Sequence, residues 1–366
     1  MKALYATLFH PNCPCQVFKG GGAGEEKIVY NRTIESLREV SVMKVLQVGF
    51  GVFGNGWYEQ IKTGHPDLAF VGVDTNPAVR ERLMREGVVC YDDLTLALAR
   101  EKPDFLLNVA PPIAHDAINN LAFDHGVPVL CEKPISHDFA AGAATTRRAE
   151  ELGIPFMIAE PYRRNAVFRE MKRLIDEGAI GCVVDVLVHF HVNYLGKKAY
   201  LTQQLPDPLL QDLAIHHMDT LRYLTAADGK RALATSHNPP GSPFAGNAAA
   251  MAIFEMEGGI RASFYGSLVS RGLSTGFHGH WRIEGTRGSM TLTDTITLEN
   301  NERKTTLDIS DTAEPDILSE FLQWLAAGTR PESTATDYIQ SEALIHAART
   351  SAQNRGWEPV PHAFRG

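Results

Sequence analysis

Three stretches of the chain hold residues whose types and spacing could do chemistry. The first is Gly49-Phe50-Gly51-Val52-Phe53-Gly54, a G-x-G-x-x-G pattern, with Asp74 about 20 residues beyond its last glycine. Gly49 permits a tight turn, Gly51 lets a pyrophosphate approach the backbone, and Gly54 lets a helix pack close on its strand. Free N–H groups at the helix start then face the phosphates. Asp74 accepts hydrogen bonds from ribose hydroxyls and repels a 2′-phosphate, and Thr75-Asn76 brings no positive charge, so NAD is favoured over NADP. Arg80 and Arg82, on the next helix, could reach the ribose edge. The alternative is a glycine turn with a purely structural role.

The second stretch is Glu132-Lys133-Pro134, directly after the apolar run 127–131. Partial burial there could lower the Lys133 pKa toward a useful range; the alternative is a surface lysine paired with Glu132. The third is Asp212-Leu-Ala-Ile-His216-His217-Met-Asp219. On a helix, Asp212 and His216 share one face and can address one substrate, while Ile215, Leu221 and Leu224 hold the other face down. Oxidising an alcohol requires a proton to leave as the hydride does, and histidine is the commonest acceptor near neutral pH. Against this, one of two adjacent histidines can simply be a capped or core imidazole.

These residues need elements to position them. From residue 44 to about 159, strands expected at 44–48, 69–73, 88–91, 104–109, 127–131 and 155–159 alternate with helices at 77–86, 93–100, 113–124 and 137–152. Runs such as FLLNVA are apolar throughout, as strands covered on both faces should be. The pattern is a doubly wound parallel sheet, whose ligands sit at the carboxyl ends of its strands. That rule selects Ala110-Pro111-Pro112 with His115, Glu132-Lys133-Pro134, and Glu160-Pro161-Tyr162-Arg163.

Beyond Arg163 the pattern changes. A helix at 166–177 precedes a strand at 182–194 that places Val184, Val186, Val188, Phe190 and Val192 on one face. Further strands are expected at 249–255, 259–267, 280–285, 288–293 and 304–309, and closing helices at 317–327 and 337–354. The expected fold is α/β: an N-terminal Rossmann doubly wound parallel sheet plus a C-terminal α/β domain with an open, largely antiparallel sheet. Its divisions would be an extension of unassigned role at 1–43, an NAD-binding domain at 44–164, and a substrate-binding and oligomerisation domain at 165–366. A short helix is expected at 33–40 within the extension.

Composition narrows the function. A formal charge of -8 without a basic stripe argues against nucleic acid as a partner. No apolar run approaches a membrane span, and Pro11 interrupts a poor signal sequence, so a cytoplasmic protein is expected. Five scattered cysteines make no disulfide framework, and Cys13-Pro14-Cys15 lacks metal-ligand spacing. His189 with His191, and His278 with His280, could in principle hold a metal; the blander reading, polar residues lining a pocket or an interface, is preferred, and no metal is expected.

The glycine fingerprint, Ala-Pro-Pro-x-x-His at 110–115, Glu-Lys-Pro at 132–134 and Asp-x-x-x-His-x-x-Asp at 212–219 resemble, in order and spacing, the glucose-fructose oxidoreductase / inositol dehydrogenase (Gfo/Idh/MocA) family. The resemblance runs from Lys44 to about Val360. It implies that Lys133 binds and polarises a hydroxyl, that His216 takes its proton, and that Asp212 holds the substrate. It also implies nicotinamide contacts from Pro111, His115 and Glu132, with Tyr162 and Arg163 touching substrate or cofactor. The expected activity is NAD-dependent oxidation of a secondary hydroxyl of a sugar, inositol or related polyol by a homodimer or homotetramer. Two alternatives stand beside it: a non-catalytic cofactor-binding sensor, and an enzyme that uses NAD transiently to cleave a glycoside. Two departures weaken any transfer of substrate identity: residues 206–211, PDPLLQ, replace a usual Gly-Gly stretch, and Ala110 stands where Thr is common.

Overall fold

The computed structural model describes residues 42–195, 204–300, 303–307 and 316–364. The expected helix at 33–40 and the Cys13/Cys15 pair lie outside them. The first sheet contains β1 (Lys44–Val48), β2 (Ala69–Val73), β3 (Val89–Tyr91), β4 (Phe105–Asn108), β5 (Val129–Cys131) and β6 (Phe156–Ile158). They run in the order β3-β2-β1-β4-β5-β6, all parallel. The helices α1 (Val52–Gly64), α2 (Pro77–Arg85), α3 (Leu94–Glu101), α4 (His115–Asp124) and α5 (Phe139–Leu152) connect them. The strand order reverses between β1 and β4, which opens a crevice at their carboxyl ends. Side chains cap the helix starts where the sequence offers them, Asn76 for α2, Asp93 for α3 and Asp138 for α5.

After α6 (Ala166–Asp176), a second sheet is built from β7 (Val183–His191) and the later strands, with α7 (Ala214–Thr225) between β7 and β8. These strands are β8 (Gly229–His237), β9 (Ala249–Met256), β10 (Arg261–Ser267), β11 (His280–Gly285), β12 (Gly288–Leu292), β13 (Ile296–Asn300), β14 (Lys304–Leu307) and β15 (Glu358–Pro359). Only the β7–β10 pair is parallel; every other pairing in this sheet is antiparallel. The expected alternation of β7 holds for Val186, Val188, Phe190 and Val192, which are buried. Val184 departs from it and is exposed at the start of the strand.

The closing helices α8 (Ile317–Ala327) and α9 (Ala335–Asn354) return to the first sheet. Strand β4 is apolar on both faces, and its second face is covered by α8: Phe321 meets Phe105 edge to face at 5.5 Å, and both are fully buried. Burying each such ring is worth roughly 1.5–3 kcal/mol. The α8–α9 connection then pairs with β6, where Ile158 N donates to Ser333 O and Ser333 Oγ to Ile158 O. The C-terminal segment is thereby locked beside the strand ends that carry the candidate chemistry.

Candidate active site

The glycine turn closes between the ends of β1 and β4. Gly49 has φ of +94°, and a Cβ there would lie 2.7 Å from Val109 O. A Cβ on Gly54 would lie 2.3 Å from Gly49 O, so the helix packs against the turn only because no side chain intervenes. A Cβ on Gly51 would meet nothing within 4 Å and point into open space at the start of α1. No side chain caps that helix, and no acid sits in its first turn. An uncapped helix start facing open space fits a pyrophosphate. Val52 and Phe53, 79% and 75% exposed, rim this opening, and Pro111 is exposed just after β4.

Asp74 ends β2. One of its carboxylate oxygens accepts from Phe50 N at 2.9 Å and the other from Asn76 N at 2.8 Å, which ties the acid to the glycine turn. Thr75 is exposed beside it. Arg80 donates to the Asp74 and Thr75 carbonyls at 2.9 and 2.8 Å, so a cation does lie at this edge, held by α2. Arg82 instead turns to Asn55 Oδ1 at 2.6 Å.

Lys133, beyond the end of β5, and Asp212, in the turn before α7, converge. Lys133 Nζ donates to Asp212 Oδ1 at 2.9 Å and to Asp212 O at 2.8 Å. The residues around Asp212 are not a regular α-helix: Leu209–Leu213 form a π-helical turn before α7, in which Ala214 N–H bonds Leu209 O. Ile215, Leu221 and Leu224 are buried as expected. The expectation that burial lowers the Lys133 pKa is corrected: burial does act that way, but Asp212, with Glu132 and Glu160, outweighs it and raises the pKa. Lys133 is therefore an ammonium, a donor rather than a base.

His216 is 8% exposed and is oriented by Glu160, which follows β6. Its Nδ1 lies 2.9 and 2.8 Å from the two carboxylate oxygens of Glu160. Burial disfavours the charged form of Glu160, yet His216, the Tyr162 N–H and Lys133 hold its carboxyl below the usual range. A carboxylate at Nδ1 requires the proton there and leaves Nε2 as the acceptor. Tyr162 stacks on the imidazole with ring centroids 4.6 Å apart, and its hydroxyl donates to Phe277 O at 2.8 Å.

Other expected residues have different engagements. Arg163, expected at substrate or cofactor, is drawn into a buried cluster with Asp219 at 2.6 Å and Asp337 at 2.6 Å, because a guanidinium between two carboxylates satisfies its donor fork there. Glu132, which burial shifts upward in pKa, accepts from Trp57 Nε1 at 2.7 Å and from Lys133 N at 3.2 Å. His115 is fully buried, its ring nitrogens 2.7 Å from Pro134 O and 2.7 Å from Ala110 O. His217 lies in the core against Phe190, Phe264 and Trp281, and among the described residues neither ring nitrogen makes a well-formed hydrogen bond, the Leu213 backbone being a weak polar neighbour. Burial pushes its pKa down to about 3. Of the other histidines, His278 lies at Asn165 beside Tyr162, apart from His280, while His189, His191 and His280 share the outer face of the second sheet. Among the described residues no three His, Cys, Asp or Glu side chains converge as a metal site, and no helix is long and apolar enough to cross a membrane.

A dinucleotide crevice at a switch point, faced by groups from a second sheet, defines a class of two-sheet Rossmann enzymes. Residues 43–160 match the description "Oxidoreductase family, NAD-binding Rossmann fold", and residues 168–291 match the "GFO/IDH/MocA C-terminal domain". The chain belongs to the Gfo/Idh/MocA family of oxidoreductases, and its first sheet is an NAD-binding Rossmann domain. It is 23% identical to the uncharacterized protein y4oX of Sinorhizobium fredii, over 85% of this chain and 93% of that one. It is also 26% identical to a D-apiose dehydrogenase of Paraburkholderia graminis, over 72% of this chain and 74% of that one. A solved oxidoreductase from Agrobacterium radiobacter, in complex with NAD+, L-tartaric acid and magnesium, superposes with a TM-score of 0.79 at 21% identity. The match covers 87% of this chain and 99% of that one.

Proposed function

We propose that this protein is an NAD-dependent dehydrogenase acting on a secondary hydroxyl of a sugar, inositol or related polyol. The observation that carries this reading is the convergence of a charged lysine and a carboxylate-oriented histidine in one place. Gly49, Gly51, Val52, Phe53, Gly54, Asp74, Thr75 and Pro111 would hold the dinucleotide, with His115 and Glu132 supporting the nicotinamide end through the loops they brace. Bound there, NAD supplies an electrophilic carbon that accepts the hydride.

The chain's own residues do the rest. Lys133 Nζ donates to the substrate hydroxyl oxygen and stabilises the negative charge that grows on it as the C–H bond breaks. His216 Nε2 accepts the hydroxyl proton, and Glu160 stabilises the resulting imidazolium through Nδ1. Asp212 holds Lys133 in place and offers carboxylate oxygen to a neighbouring hydroxyl. Tyr162 walls the site beside the imidazole, and Arg163 acts only by fastening the loop that carries Glu160. The polyol class is supported by these convergent polar groups and by the sugar dehydrogenase among the relatives. The same reading divides the chain at 44–164 and 165–366, with the outer face of the second sheet as the assembly surface, and places the protein in the cytoplasm.

The test is a panel of sugars, inositols and glycosides with NAD and NADP, followed at the nicotinamide absorbance for wild type, Lys133→Ala and His216→Ala. A wild type that binds NAD but reduces none with any polyol sinks the dehydrogenase. Full turnover in both variants would leave the class standing and remove the site.

A further inference from the structure

The Pro134–Ile135 peptide group, one residue beyond Lys133, meets side chains from distant parts of the fold at both its carbonyl and its N–H. Its carbonyl, Pro134 O, lies 2.7 Å from His115 Nδ1, and its N–H, on Ile135, donates to Glu342 Oε1 at 2.6 Å. His115 opens α4, and its other nitrogen lies 2.7 Å from Ala110 O; burial favours the neutral ring, whose single N–H bonds one of the two carbonyls, so the ring sits wedged between the Glu-Lys-Pro loop and the strand end that carries Pro111. Glu342 comes from the middle of α9, 207 residues further along the chain. On the other side of Lys133, Trp57 of α1 holds Glu132.

Glu342 is the unexpected member. It is 7% exposed, and burial pushes its pKa up to about 8, with the Ile135 N–H as the one group acting against that shift. An apolar side chain of equal length would fill this space without desolvating a carboxyl. What the carboxyl adds is an acceptor for a buried N–H that follows a proline and has left strand β5 behind.

We propose that Glu342, together with His115, is a positioning residue for Lys133: the two fix the Pro134–Ile135 peptide group and thereby the direction in which the ammonium leaves the strand end toward Asp212. This rests on the assignment of Lys133 as the group that polarises the substrate. Neither residue touches substrate in this reading.

Glu342→Met and Glu342→Gln are to be compared with wild type for kcat, for KM of NAD, and for hydrogen exchange at the Ile135 amide. Met keeps the length and removes the acceptor; kcat should fall about 10- to 100-fold, the range expected for a misplaced catalytic group. KM for NAD should stay unchanged while Ile135 exchange accelerates. Gln keeps an acceptor and should return kcat and exchange to near the wild-type values. Wild-type kcat in the Met variant, or equal losses in both variants, overturns the proposal. Should the Met variant fail to fold, wild-type exchange decides, because an Ile135 amide that exchanges like an exposed loop also overturns it. If wild type oxidises no polyol, the assignment of Lys133 fails by itself. In that case a Met variant with fast Ile135 exchange and a crystallographically displaced Lys133 Nζ still upholds the positioning role.

Discussion

Two groups of charged residues lie along α7 and its preceding turn, and they differ in how fully their bonding capacity is used. At the start, Lys133 meets Asp212 and Glu160 meets His216, and the described contacts leave His216 Nε2 open. A turn further on, Arg163 is shared by Asp219 and Asp337, Ser341 Oγ donates to Asp219 at 2.7 Å, and Arg222 closes on Asp337 and Asp228. In the second cluster Arg163, Asp219 and Arg222 are buried and each cation is shared by two acids, with Asp337 and Asp228 half-buried at its edge, so it holds helix to loop. The first leaves His216 Nε2 without a hydrogen bond among the described contacts, which is the position the proposed proton transfer uses. The same contrast separates two adjacent residues: His216 has a carboxylate at Nδ1, while His217 packs among aromatic rings and faces no carboxylate at hydrogen-bond distance.

Substitutions should widen or collapse this contrast. The largest effect is expected for Lys133→Ala, with kcat down about 10³- to 10⁴-fold from the lost electrostatic stabilisation and little change in melting temperature. A large loss of stability instead would put Lys133 in the structural group. Arg163→Ala should do the reverse. It leaves buried Asp219 without its cation and should cost about 3–5 kcal/mol in denaturant unfolding, while kcat per folded molecule falls no more than about 10-fold as the loop carrying Glu160 loosens. Glu160→Gln keeps a polar partner for His216 but removes the charge, and kcat should fall about 10²- to 10³-fold without loss of NAD binding, measured by titration.

The smallest effect belongs to His217. Its pKa is about 3 in the folded protein against roughly 6.5 unfolded, so only the unfolded chain takes up a proton between those values. Wild-type stability should therefore fall, as pH drops from about 6.5 toward 3, by on the order of 1 kcal/mol per pH unit through this one group. His217→Phe removes a buried imidazole that makes no well-formed hydrogen bond among the described residues and should be neutral or stabilising at pH 7, with a shallower acid limb in unfolding curves collected at several pH values. A steep loss of activity in this variant would show that His217 takes part in the chemistry.

Much of the first sheet was legible because local signals agreed: unbroken apolar runs, helix caps and a glycine turn all specify the same alternation. The second sheet was less so. Strand β8 is rich in alanine and polar residues with little period-two contrast, and β13 is a short segment after a tight turn, so neither was anticipated. For the site, helical spacing put Asp212 and His216 on one face and the family resemblance joined Lys133 to them, but Glu160 and His216 are 56 residues apart with no spacing that announces a pair. Arg163 looked like a ligand-facing residue from its place at a strand end; only the arrival of α7 and α9 shows it to be enclosed.

The sequence by itself determined the dinucleotide turn, the acid at Asp74 and the parallel sheet, because these depend on backbone conformations and periodicities set within a few residues. Which histidine is open, which way the lysine titrates and which carboxylate orients His216 depend on burial and on charges brought from distant segments. Only the tertiary structure decided those, because desolvation and Coulomb interactions act through space and not along the chain.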